Sequence, residues 1–487
     1  ANTASDNTAV GYQAGDALTT GSYNNAFGHA SLSTATTGEQ NAAFGRYSLN
    51  LNTTGSENTA VGNHALNSNT TADNNTAVGY QSLYANTSAT GNTAVGFASG
   101  RTNTTGTDNV SLGYNAGYSN ASSSSNTSIG SHALYANTGA TNTALGTQAL
   151  RFNSTGAGNT AVGYQAGFTN VTGTRLVAMG YTAALNSTTA THNTAIGYQS
   201  QRNNTTGSNN TALGDNSLYT NTTGASNVSI GKDALFSNTT AANNTAVGFQ
   251  AAYKNTTGTL NTYIGEQAGY WATTGSSNTA LGADAYAATN TATGSYNTAI
   301  GQAALWSNTT ASNNTAVGYQ AGYTNTTGDA TTAIGTKALR GNTTGRFNSA
   351  LGYESLYANT TGTYNVAVGS AALSQNTTAS GNTAVGYHAL TANTTAADNT
   401  SVGYFAGKSN TTGAYNTFIG KDAGLTNTTG TLNSFIGEYS GRLTTGSNNT
   451  FLGQQSGTYI TSGTKNTIIG RYTGNQGGLD IRTSSNN

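Results

Sequence analysis

Large apolar side chains fall along the chain at a fixed interval: Val10, Phe27, Phe44, Val61 and Val78 stand 17 residues apart. Each follows a small residue, usually with a Thr before that, and each precedes a glycine. The stretch at 314–330, NTAVGYQAGYTNTTGDA, is one copy of this unit. The glycine recurs 28 times, including Gly11, Gly28, Gly62, Gly248, Gly318 and Gly470; of the 27 gaps, 24 are 17 residues, two are 16 and one is 19. Numbered as slots from the Asn, the consensus is N-T-A-V-G-Y-Q-A-L-Y-x-N-T-T-G-x-x. Such self-similarity at a fixed period is the mark of a solenoid.

Slots 2 and 4, Thr and a large apolar residue such as Val10, Val247 or Val317, alternate as in a strand and share one of its faces. They are expected to point inward. The slot 5 Gly permits a positive φ and marks a corner. Slots 8–10 predict a second short strand, and the Asn-Thr-Thr-Gly arc at slots 12–15 predicts a turn. No 3.6-residue period runs over a useful length, so no helix is predicted. The sequence thus predicts an all-β fold, a parallel β-solenoid of about 28 coils of 17 residues over 1–474, followed by a C-terminal tail at 475–487. At about 4.8 Å per coil, 28 coils would make a rod of roughly 135 Å. Asn fills slot 1 in 26 of 28 copies, which predicts a ladder of side-chain amides. The three irregular gaps place their length change near Ala287–Ala292, Thr138–Gly139 and Leu443, so the slot 10–15 arc is expected to be the outer loop.

Slot 3 is Ala or Ser in most copies, then Phe418, Phe435, Phe451 and Ile468 near the end. Small residues on the face opposite slots 2 and 4 suggest a second surface close by, with the packing of Ala into a tight corner of its own chain as the other reading. The modest apolar content per coil also suggests burial against a partner chain. On that expectation Ala246→Arg disrupts assembly if the face meets a partner chain and is harmless if it meets water.

Composition narrows the function. The chain holds 64 Gly, no Pro and no Cys, and its formal net charge is zero with 7% charged residues. Zero net charge removes steering toward nucleic acid, and no apolar run is long enough for a helical membrane span. Disulfide and thiol chemistry are excluded.

The repeat NTAVGYQA resembles the SVAIGxxA repeat in the head domain of trimeric autotransporter adhesins, over nearly the whole chain. The resemblance implies a left-handed parallel β-roll packed side by side as a homotrimer. The repeat is also similar to those of bacteriophage tail-fibre and bacterial surface proteins, in which GLDIRTSSNN at 478–487 resembles the lead-in to a self-cleaving C-terminal chaperone segment. Neither end reads as a solenoid cap, so a piece of a longer fibre is expected.

Chemistry is sparse. Asp215, Asp233, Glu266, Asp284, Glu354, Asp422 and Glu438 fall in slots 6 and 7. Glu266 and Asp284, one coil apart, are the pair that could serve a glycosidase; solvated surface charge is the alternative. His64, His132 and His388 share slot 7 but stand four or more coils apart, so no metal or other cofactor is expected. Tyr or Trp fills many copies of slots 6 and 10. These rings could pack on one another or offer a sugar-stacking stripe. Tyr270, Trp271 and Trp306 are the candidate glycan contacts. The NTT strings also match a glycosylation sequon. These readings converge on an extracellular, non-enzymatic fibre shaft with an adhesive role, on a virion or a bacterial surface. It would project a tip that binds a cell-surface glycan or other receptor. The alternatives are a single-chain filament or ice-binding solenoid and, third, a solenoid glycosidase.

Overall fold

The computed structural model describes residues 3–475 and 482–486. The protein is an all-β parallel solenoid of tandem coils, and no helix occurs among the described residues. It divides into two units, Ala1–Asn243 and Asn244–Asn487. The first holds strands β1 (Thr8–Val10) to β14 (Val228–Ile230), and the second β15 (Thr245–Val247) to β28 (Thr467–Ile469), one three-residue strand per coil. Within each unit every strand pairs in parallel with the next, slot upon slot: Thr59, Ala60 and Val61 lie against Thr76, Ala77 and Val78, and Thr245, Ala246 and Val247 against Thr262, Tyr263 and Ile264. Fourteen coils at one strand spacing make a stack of about 65 Å in each unit.

Within each unit the invariant glycines form a column. Gly11, Gly28, Gly62, Gly248 and Gly318 have φ between 134° and 137°, a region closed to side chains. A Cβ on Gly62 would lie 2.5 Å from the carbonyl oxygen of Gly79 in the next coil, and one on Gly318 would lie 2.6 Å from that of Gly335. Gly470, in the last coil, has φ 101° and open space beside it. The chain also turns through left-handed conformations at non-glycine positions in almost every coil, as at His64 (φ 60°), Leu66 (50°) and Asn74 (59°), which are slots 7, 9 and 17.

Four expectations are overturned. First, the faces of the strand are reversed. Slot 3 points inward: Ala60, Ala77 and Ala246 are 0% exposed. Slots 2 and 4 point outward, so that Leu112 is 43% exposed, Val10 is exposed, and Val247 and Val317 are half-exposed. A 17-residue coil is too thin to hold a β-branched side chain from every strand. Its interior takes the methyl of slot 3, the Ala or Ser of slot 8 and one Leu at slot 9, such as Leu49, Leu66 and Leu83. Second, Phe418, Phe435 and Phe451 are not an outer patch but a stacked core inside their own coils, with ring centroids 5.5 and 4.8 Å apart. Third, slots 8–10 form a turn and not a strand, although they still bond up the stack, as where the Leu49 amide donates to the Ala65 carbonyl at 3.0 Å. Fourth, the slot 10–15 arc is not simply an outer loop, because its slot 12 Asn and slot 15 Gly are buried, as at Asn52 and Gly55.

The buried arc carries a second amide ladder beside the expected one. At slot 1, Asn41 Oδ1 accepts from the backbone amide of Asn58 at 3.0 Å, and Asn58 Oδ1 accepts from that of Asn75 at 3.0 Å. At slot 12 the rungs run between side chains: Asn69 Nδ2 donates to Asn52 Oδ1 at 2.8 Å, and Asn86 Nδ2 to Asn69 Oδ1 at 3.0 Å. Each slot 12 amide also donates to the slot 15 carbonyl of its own coil, as Asn52 does to Gly55 at 2.8 Å. These bonds satisfy polar groups that the thin coil could not otherwise bury. In the predicted tail, 476–481 and 487 lie outside the described residues. Residues 482–486 continue the stack, with the amide of Thr461 donating to the Arg482 carbonyl at 2.9 Å.

Two adjacent residues should therefore answer oppositely to one substitution. Ala246→Arg, inside the coil, should be lost to limited proteolysis, whereas Val247→Arg should leave the coil folded and resistant to the same digestion. Gly62→Ala should destabilise its unit by about 3 kcal/mol, since it adds both a clash and a forbidden φ. Gly158→Asn should be nearly neutral in urea unfolding, because nothing lies within 4 Å of its Cβ position and Asn74 already occupies the same slot at φ 59°.

Candidate functional site

In-register stacking turns every surface slot into a column, and the slot 10 column is built of flat groups. Tyr253 stacks on Tyr270 at 5.2 Å and Trp306 on Tyr323 at 5.1 Å, with interplanar angles of 8° and 5°. Where an aromatic is missing, a guanidinium can take its place: Arg340 lies 5.2 Å from the Tyr323 ring and 5.8 Å from that of Tyr357. In the first unit Arg101 sits likewise between Tyr84 and Tyr118. The exposed slot 6 rings stack in the same way, as Tyr80, Phe97 and Tyr114 do at 5.2 Å. Most predicted aromatics thus pack on one another.

The exception lies around the 19-residue coil, where slot 10 is Ala287. Its two extra residues bulge between Ala287 and Ala292, and the ladder resumes as Thr273 donates its amide to the Ala292 carbonyl at 2.8 Å. A cavity of about 400 Å³ opens there, lined by Gln267, Tyr270, Trp271, Asp284, Ala287, Thr289 and Trp306 among others. All three candidate glycan contacts therefore meet in one place. Trp271 is held edge-on to Tyr270 at 5.4 Å, with the Lys254 ammonium 5.5 Å from its ring centroid.

The core beneath this cavity is rebuilt. Tyr263 occupies slot 3 and Gly269 slot 9 of the same coil, and a Cβ on Gly269 would fall 2.5 Å from the Tyr263 ring. Slot 12 of that coil is Ala272 instead of Asn. In the next coil Tyr286 replaces the slot 9 Leu, and its hydroxyl donates to the Gly294 carbonyl at 2.9 Å. That carbonyl is the slot 15 acceptor a ladder Asn would otherwise use. Burial pushes the Tyr286 phenol well above its ordinary range; burial, and then the neighbouring Tyr286, do the same to Tyr263.

The other sequence candidates do not assemble. Asp284 lines the cavity, but Glu266 is exposed and does not, so the two carboxylates face no common cleft. Other acids pair along the stack: Glu354 with Lys337 at 3.6 Å, Glu438 with Lys421 at 3.9 Å and Asp422 with Arg442 at 3.6 Å. Burial, followed by the charges of Arg46, Arg151 and Lys408 respectively, holds His64, His132 and His388 below the usual imidazole value. No cluster suited to a metal ion occurs among the described residues. A second cavity of about 300 Å³, lined by Asp422, Tyr439, Arg442, Gln455 and Tyr459, was not anticipated. Nor was the outward apolar column at slot 4, for which the invariance of that slot was the available signal.

No protein-family model matches the chain, and no curated protein matches it either.

The buried phenols make stability fall at alkaline pH. Above the ordinary phenol range, about pH 10, the unfolded chain releases both protons while the folded chain keeps them. The unfolded state then binds fewer protons, so stability declines as pH rises. The melting temperature of the second unit should be level from about pH 7 to 9 and drop by about pH 11. The double variant Tyr263→Phe with Tyr286→Phe should flatten that alkaline slope, while Tyr286→Phe alone costs about 1 kcal/mol at neutral pH through its lost hydrogen bond.

Proposed function

We propose that the chain is a non-enzymatic structural shaft that works by associating side by side with copies of itself. The outward apolar column carries this reading. Slot 4 is large and apolar in all 28 coils, and neither slot 2 nor slot 4 holds a charged residue anywhere. Column members such as Leu145, Leu213, Leu281 and Leu351 are each more than 40% exposed. Solvent alone does not demand an unbroken apolar line, and a long exposed apolar patch marks an interaction surface.

A second copy suits it best. Any partner must offer apolar groups at one strand spacing, and this chain carries such a line. The absence of charge removes repulsion between copies. Covering the exposed part of slot 4 contributes about 1 kcal/mol per coil, or of order 10 kcal/mol over fourteen coils. That is enough to match the several kcal/mol lost on association. One stripe per unit allows closure about a common axis, and a homotrimer is the arrangement implied by the resemblance to autotransporter adhesin heads. The interface differs from the one the sequence suggested, being slots 2 and 4 instead of slot 3. As an extracellular shaft on a virion or a bacterial surface, such an assembly would supply reach and stiffness to an adhesive tip.

The outward slot 2 Thr column also favours a second reading, ice binding, since threonines that face solvent in register present hydroxyls at one strand spacing. Slot 4 varies from Val to Phe and Met, at Phe27, Phe44 and Met179, and this roughens the face that a lattice would have to match.

Light scattering should give three times the 49.0 kDa chain mass. Val247→Arg combined with Val317→Arg should give monomers with an unchanged circular dichroism spectrum. A monomeric parent that inhibits ice recrystallisation would instead establish the second reading.

A further inference from the structure

We infer that the cavity at Ala287 is a saccharide-binding site that seats one pyranose ring between Tyr270 and Trp306. The inference does not rest on side-by-side association, because the residues lining the cavity come from slots 7 and 10 to 12, and none from slots 2 or 4.

From Tyr253 to Tyr357, slot 10 presents a flat side chain in every coil but one: Tyr253, Tyr270, Trp306, Tyr323, Arg340 and Tyr357, with Ala287 the exception. Neighbouring plates in this column stack at 5.1–5.2 Å. Omitting one plate separates Tyr270 from Trp306 by two coil rises, about 10 Å. That distance admits one ring about 5 Å from each neighbour, the spacing the column itself uses. Among the described residues Tyr270 makes ring contacts with Tyr253 and Trp271, and Trp306 with Tyr323, and no ring bridges the two. The Ala287 methyl forms the floor. The two-residue bulge walls one side, and the opening is large enough for a monosaccharide at about 400 Å³.

The edges of the cavity choose between ring types. A bare aromatic would need only the two faces. Here the rim also carries Asp284, Gln267 and Thr289. The Asp284 carboxylate can accept from two vicinal hydroxyls, and the Gln267 amide and Thr289 hydroxyl can both donate and accept. Apolar C–H faces above and below with a ring of hydroxyls around the edge describe a pyranose. The single carboxylate, without Glu266 beside it, fits binding and not hydrolysis.

The site can be read directly, because the only two tryptophans of the chain, Trp271 and Trp306, both line it. The full-length protein would be titrated with the methyl glycosides of glucose, galactose, mannose, N-acetylglucosamine and N-acetylgalactosamine while tryptophan emission is followed. Benzyl alcohol serves as a ring without the hydroxyl edge. At least one glycoside should give a saturable change in the millimolar range, with benzyl alcohol weaker. Ala287→Tyr restores the missing plate and keeps both tryptophans; it should abolish the response while leaving the melting temperature level or higher. Tyr270→Ala should weaken binding about ten-fold, the loss of one stacked face, and Asp284→Asn should weaken it several-fold. The inference is overturned if no glycoside gives a saturable response by about 50 mM, if benzyl alcohol binds as well as the best glycoside, or if well-folded Ala287→Tyr binds like the parent.

Discussion

The close approach of successive glycines at slot 5 governs the whole architecture. A carbonyl oxygen of one coil occupies the place where a Cβ of the coil below would stand, at 2.4 Å for Gly79 and 2.5 Å for Gly335. Backbones that meet this closely cannot slip by a residue, so each slot lies on its own copy in the next coil. Everything else follows from that register. An amide at slot 12 finds the same amide one rise away, and a threonine hydroxyl at slot 13 finds a carbonyl, as Thr53 does at Thr70, 2.9 Å away. A flat side chain at slot 10 finds another plate. The strands are only three residues long, and such strands depend on these columns for much of their support.

Within that frame the interior behaves as a volume shared between slots 3 and 9. Ala at slot 3 goes with Leu at slot 9 in many coils. A large slot 3 residue goes with Gly at slot 9 of the same coil: Tyr263 with Gly269, Phe418 with Gly424, Phe435 with Gly441, Phe451 with Gly457 and Ile468 with Gly474. The fit leaves no slack, since a Cβ on any of the glycines facing Tyr263 or the three phenylalanines would fall 2.5–2.6 Å from a ring atom. Protein interiors are packed densely enough for one methyl to matter, and here the constraint is met coil by coil.

The period, the absence of helix, the glycine column and the slot 1 amide ladder were all legible in the sequence, because a repeated residue type in a solenoid reports directly on a column. The facing of the strand was not. Alternation places slots 2 and 4 opposite slot 3 without saying which side is the interior, and hydrophobic size argued for the wrong one. Where slot 9 is Leu the interior has no room left for Val or Ile from the strand, so there the larger side chains face outward and the small slot 3 residue is enclosed. The pairing of large slot 3 residues with slot 9 glycines was present in the sequence and would have decided the matter. Two residues compensate in volume only if they share a space. For the candidate site, Tyr270, Trp271 and Trp306 could be named from residue type alone. Asp284, Gln267 and the Ala287 floor could not, since they matter only once a missing plate is recognised in an otherwise filled column.

The same reasoning explains why a cavity opens at the one coil that is too long. A perfect repeat cannot make a cavity, because each column is filled by the coils above and below it. A concave feature requires at least one coil to omit a surface side chain, and the neighbouring coils must stay in register while it does so. The 19-residue coil meets both demands. Ala287 removes the plate, and the extra residues leave between Ala287 and Ala292 without disturbing the next strand. Tyr286 then bonds the Gly294 carbonyl in place of the absent slot 12 Asn. The irregularity is therefore supported from within by a core rebuilt around two buried tyrosines. A random two-residue insertion would lack that support, and the repair beneath the bulge is the strongest sign that the cavity above it is a built feature of the molecule.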